Sequence, residues 1–116
     1  MGLLTRDEIL QADDLQSEQV AVPEWGGDVI ISTLTGTDRD AYEAGILTSE
    51  GKMDYRNLRA KLLARCIVDE SGKRLFNESD VAALGKKSAA ALDRCFSVAS
   101  RLNAVSDSDL EELAKN

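Results

Sequence analysis

Gln19-Val20-Ala21-Val22-Pro23-Glu24-Trp25-Gly26-Gly27-Asp28-Val29-Ile30-Ile31-Ser32-Thr33-Leu34 is the stretch in which the chain changes period. Val20 and Val22 alternate with Gln19 and Ala21, the pattern that sends successive side chains to opposite faces of a strand. Pro23 interrupts that run, Gly26 and Gly27 supply the backbone freedom of a tight reversal, and β-branched residues resume at Val29. Two strand-forming runs around a Pro/Gly turn predict an antiparallel hairpin. A lone two-stranded hairpin is marginal in water, so it must pack against something else in the chain.

Helical spacing on both sides supplies that surface. Upstream, Thr5 and Glu8 have capping-box spacing and predict a short helix over about residues 6–12, with Ile9 and Leu10 on its apolar side. Asp13 and Asp14 follow as a polar connection. Downstream, Thr35 or Thr37 caps a helix running to about residue 46, with Asp38 and Asp40 near its positive end. Residues 47–54, with Ser49, Glu50 and Gly51, read as a loop. A central helix is predicted over residues 55–68, with Leu58, Leu62, Leu63, Cys66 and Ile67 in one broad apolar stripe. Residues 69–73 form a turn and Arg74-Leu75-Phe76 a short extended piece. Asn77 caps a helix through Val81, Ala82 and Leu84 that Gly85 stops. A second long helix covers residues 88–103, with Leu92, Cys95, Phe96, Ala99 and Leu102 on one face. Ser106 caps a final acidic helix containing Leu110 and Leu113. The expected fold is α+β and mostly α-helical. It is a single small domain over residues 1–116, with one N-terminal β-hairpin packed on a helical cluster.

Composition narrows the function. A chain of 116 residues has the size of one domain, typically about 100–150 residues. The 21 acidic residues outnumber the 14 basic ones, for a formal net charge of −7. Such a surface repels phosphate backbones and anionic lipid heads, which argues against nucleic-acid and membrane partners. No run approaches the roughly 20 apolar residues of a membrane span. The N-terminal apolar run is too short for a signal peptide and meets Asp7 and Glu8 at once. Arg6 stands where a myristoylation signal needs Ser or Thr. Cys66 and Cys95 lie within helical apolar patterns, as small buried hydrophobes do, and they suggest neither a zinc site nor a disulfide framework.

The chain contains no histidine, which removes the commonest general base and metal ligand near neutral pH. Residues 69–80 have the length of a calcium loop, but Arg74 occupies the glycine position and Asp80 that of the final glutamate. Trp25-Gly26-Gly27 lacks the spacing of a phosphate loop. Arg56, Arg59, Lys61 and Arg65 scatter around the central helix beside no aromatic pair, as a solvated face paired with nearby acids would. No catalytic, cofactor-binding or metal-binding residue is predicted. Trp25 either anchors a partner or, in the favoured reading, folds back onto the helices to shield the hairpin. With Tyr42 and Tyr55 it makes up the set of candidate partner-binding residues.

Three stretches together resemble a known family. They are Val22-Pro23-Glu24-Trp25-Gly26-Gly27 followed by residues 33–43, then Leu62-Leu63-Ala64-Arg65-Cys66-Ile67-Val68 through Phe76, and finally Ser88-Ala89-Ala90-Ala91-Leu92-Asp93-Arg94 through Arg101-Leu102-Asn103. Their order and spacing, over about residues 3–116, are similar to those of the tail assembly chaperones of long-tailed phages and prophages. The resemblance implies a non-enzymatic protein that binds and solubilises the aggregation-prone tape measure protein until the tail tube polymerises. It implies action in the host bacterial cytoplasm and absence from the mature virion. It also implies a longer form, made by a programmed ribosomal frameshift, that recruits tail tube protein. Ala114-Lys115-Asn116 permits the slippery codon string A-AAA-AAC at such a site. Homo-oligomerisation is a further expectation for a protein that coats a filament, although no heptad run specifies a copy number. The alternatives are a structural phage tail or connector protein, and a bacterial protein-interaction adaptor.

Overall fold

The computed structural model describes residues 2–104; the acidic helix expected from Ser106 onward lies outside the described residues. The chain opens with α1 (Arg6–Gln11), started by the expected capping box. The Thr5 hydroxyl accepts the Glu8 N–H at 3.2 Å, and the Glu8 carboxylate accepts the Thr5 N–H at 2.9 Å. The hairpin follows as β1 (Ser17–Val22), a 3-10 turn over Pro23–Trp25, and β2 (Gly27–Ser32). Its register runs from Ser17 opposite Ser32 to Val22 opposite Gly27. Gly26 closes the turn at φ 76°, a left-handed conformation that glycine adopts without steric cost.

Thr35 caps α2 (Gly36–Gly45), its hydroxyl accepting the Asp38 N–H at 3.1 Å. The loop after it is pinned by a bridge between Leu47 and Met53. The central helix departs from its expected bounds at both ends. It is α3 (Leu58–Cys66), shorter than the apolar stripe that announced it. At its start Asn57 sits left-handed at φ 52°, so Tyr55 and Arg56 lie outside the helix. Gly85 lies directly against Asn57, and a Cβ at Gly85 would collide with the Asn57 side chain. At its end Ile67 turns to an extended backbone, and β3 (Ile67–Val68) adds to the sheet. Ile31 pairs with Ile67 and Ile30 with Val68, so the expected hairpin is two-thirds of an antiparallel sheet ordered β1-β2-β3. Arg74 bridges to Val68, which places the short extended piece where it was expected. Asn77 caps a 3-10 turn over Glu78–Asp80 that runs into α4 (Val81–Leu84). Ser88 then caps α5 (Ala89–Asn103).

The core lies between α3, α5 and one face of the sheet. Val20, Val22 and Ile31 meet Leu62, Leu63, Ile67, Ile46 and Leu92 there. On α5 the most buried residues at four-residue spacing are Ala91, Cys95 and Ala99, and α3 contributes Ala60 and Ala64. Small side chains along a four-residue ridge let two helices approach closely. Ion pairs then tie α5 outward along its length. Asp93 meets Arg59 of α3, Arg94 holds Glu24 of the hairpin turn through two contacts of 2.5 and 3.0 Å, and Arg101 holds Glu18 of β1 at 2.9 Å.

Candidate protein-binding surface

The structure separates the three aromatic candidates. Tyr42, selected from sequence as a candidate contact, is 1% exposed, and its side chain packs within the core. Its place on α2 puts it on the inward face. Trp25 is half-buried, and its ring packs against the core as the shielding reading requires. The Glu24–Arg94 pair anchors the turn that carries it. Its indole Nε1 is buried without a hydrogen-bond partner among the described residues. Tyr55 is 64% exposed and borders a shallow hollow lined by Leu58, Arg59, Lys87 and Leu92. The three do not form one surface.

A larger apolar surface lies where sequence reading saw only a short helix. Leu3, Leu4, Ile9, Leu10 and Leu15 are all strongly exposed, Leu3 completely so, and α1 buries none of its residues. Six-residue helices are unstable alone, because one turn fixes many dihedrals for few hydrogen bonds. Here the capping box supplies the local order, and among the described residues no residue of α1 is buried. Asp7, Glu8, Asp13 and Asp14 flank the apolar residues, while Arg6, the arm's single cation, pairs with Asp7 at 2.9 Å. The sequence did hold the signal: five large aliphatics stand before the first strand.

Elsewhere the arginines are internally matched. Every arginine of the chain lies within ion-pair distance of a carboxylate. On the locally basic α3, Arg65 bridges Asp38 at 2.8 Å and Glu78 at 2.6 Å. Asp54 receives Arg56 and Lys61, and the Arg56 guanidinium and backbone N–H hold its carboxyl down to about 2. Guanidinium groups so engaged have their donors committed to carboxylates within the chain. Burial pushes the Cys66 thiol up to about 12 and raises Cys95 as well, so both remain neutral and non-nucleophilic near pH 7. Asp69 spends its carboxylate on its own turn, accepting from the Ser71 N–H at 2.8 Å, the Ser71 hydroxyl at 2.7 Å and the Lys73 N–H at 3.0 Å. Among the described residues no three acids or cysteines converge as a metal site would require. None of their helices is long and apolar enough to cross a membrane.

An α+β body is thus preceded by an acidic arm with exposed apolar residues. The family model for phage tail assembly chaperones matches residues 6–116. This chain belongs to that family. Its fold is similar to that of the solved bacteriophage HK97 tail assembly chaperone, with a TM-score of 0.60 over 83% of this chain and 94% of that one. Identity between the two is 14%, so this likeness speaks for the fold alone. No curated protein sequence matches the chain. The chaperone therefore acts in the assembly of phage tails within the host cell, with other proteins as its partners.

Proposed function

We propose that this chaperone binds the tape measure protein and keeps it soluble, acting by contact without chemistry of its own. The exposed N-terminal arm is the observation that supports this most directly. Leu3, Leu4, Ile9 and Leu10 offer apolar contact at both ends of a preformed helical turn, and four carboxylates surround them. A long helical client with an apolar stripe edged by Lys and Arg complements that arrangement. The stripe would supply most of the affinity, and the charges would steer association and orientation. Tyr55, exposed beside α3, is a second contact in this reading, and half-buried Trp25 lies on the hairpin turn. Many weak contacts repeated along one client gain through avidity. The site of action in this reading is the bacterial cytoplasm, and the chaperone leaves before the virion is complete. A longer frameshifted form would bring tail tube protein to the same client.

Co-expression of the unaltered gene with its tape measure gene tests the reading. The expected result is a soluble tape measure protein that co-purifies with this chain, together with a second, longer chaperone band. A tape measure protein that stays insoluble and unbound sinks the client assignment. A complex with a single chaperone species removes the longer form while leaving the client in place.

A further inference from the structure

Three elements converge at the root of the N-terminal arm. Asp14 and Leu15 of the arm, Leu34 and Gly36 at the start of α2, and Leu102 of α5 border one open hollow of about 580 Å³. Hydrogen bonds brace it. The Thr33 N–H donates to the Gln16 carbonyl at 2.8 Å and the Thr33 hydroxyl accepts the Gln16 N–H at 3.0 Å, which fixes the arm's root to the end of β2. The Leu34 N–H donates to the Asn103 side chain at 2.7 Å, and the Thr35 hydroxyl caps α2. With these polar groups engaged inside the fold, the hollow offers a visitor chiefly aliphatic surface. Leu15 is 46% exposed, and Leu34 and Leu102 are half-buried. Asp14 is the sole charged residue on its border, so it lacks the convergent polar groups of a small-molecule site.

We propose that this hollow seats a turn of a basic amphipathic helix of the client, with the arm laid along the same helix. The inference rests on the tape measure reading and adds where the client sits. Charge selects the occupant. Asp13 and Asp14 stand beside the hollow, and among the described residues neither has an ion-pair partner. The chain's own residues 105–116 begin close by, but they hold Asp107, Asp109, Glu111 and Glu112 against the single Lys115. A second copy brings a net charge of −7 and leucines that are themselves set among acids. Both would place like charges together. A foreign helix edged by Lys or Arg does the reverse. Its aliphatic anchors, three or four residues apart, enter between Leu15, Leu34 and Leu102, and its cations meet Asp13 and Asp14. Because Gln16 is held to the sheet, the arm starts from the hollow's border, and Ile9 and Leu10 extend the contact beyond it.

Gly36 lets the hollow be filled without altering the arm. A Cβ there meets no atom within 4 Å and the backbone is helical, so a larger side chain fits the fold. In the full chain co-expressed with the tape measure gene, Gly36→Trp should keep the parent's melting temperature and lose the client, whereas Gly36→Ala should retain it. Asp13→Lys combined with Asp14→Lys should lose it too. A photo-crosslinking phenylalanine analogue in place of Leu15 should label a tape measure segment whose apolar residues recur at helical spacing beside Lys or Arg. If Gly36→Trp lowers the melting temperature, the crosslink decides. Equal capture by a stable Gly36→Trp and the parent overturns the seat alone, whether residues 105–116, a second copy or nothing fills the hollow. Labelling of an acidic segment, or of none, does the same. A parent chain that captures no tape measure protein overturns the client reading and the seat together.

Discussion

Asn103, the last residue of α5, joins parts of the fold that are far apart in sequence. Its side-chain oxygen accepts the Leu34 N–H at 2.7 Å, its amide donates to the Ala99 carbonyl at 2.9 Å, and its backbone carbonyl accepts from Arg39 at 2.8 Å. Sequence could mark this residue only as the end of a helix, because hydrogen bonds across such separations leave no local pattern. Tyr42 shows the same limit, since an aromatic on a short helix carries no sign of which side faces inward. Asp54 is a local case that supports a pH prediction. Its folded pKa of about 2 lies below the unfolded value of about 3.9. A depressed carboxylate contributes stability above its unfolded pKa and loses it as pH falls toward the folded one. Urea midpoints of the parent chain should therefore fall between about pH 5 and pH 2 more steeply than those of Asp54→Asn. Parallel falls in the two proteins would show that the Arg56 and Lys61 contacts contribute nothing to acid stability.

At the scale of elements, the caps and the hairpin were legible because their signals are local. Thr5 with Glu8, Thr35, Asn77 and Ser88 all cap as their spacing predicts, and Pro23 with Gly26 places the turn. The bounds of α3 were not, for two opposite reasons. Tyr55 continues the apolar rhythm upstream, yet the left-handed Asn57 interrupts the backbone. Ile67 and Val68 continue it downstream, but these β-branched residues exchange the helix for pairing with Ile30 and Ile31. Composition was more informative for α5, whose buried ridge of Ala91, Cys95 and Ala99 sets how closely it lies on α3. Ala99→Leu forces extra methylenes into that contact and should destabilise the fold by about 1–3 kcal/mol. Exposed Ser97, two residues away on the same helix, gives the control, since Ser97→Ala should stay within about 0.5 kcal/mol of the parent. Equal stabilities for Ala99→Leu and the control in denaturant titration would mean that the ridge is loosely packed.

At the scale of the whole molecule, the chaperone divides into a body that holds itself together and an exposed N-terminal arm. The body has the buried core and the long-range ion pairs along α5. Residues 2–15 are exposed throughout, although they include five of the large aliphatic side chains. Burial of such side chains is the main favourable term in folding, worth about 1.5–3 kcal/mol each when complete. Leaving them in water therefore forgoes stabilisation that only another surface can recover. Deleting residues 2–15 should leave the melting temperature of the body unchanged and abolish capture of the tape measure protein. Replacing Leu3, Leu4, Ile9 and Leu10 together by serine should do the same while keeping the acids. A truncated chain that still captures its client would move the binding surface elsewhere on the body, with Tyr55 the next position to replace. A truncation that lowers the melting temperature would instead make the arm part of the fold.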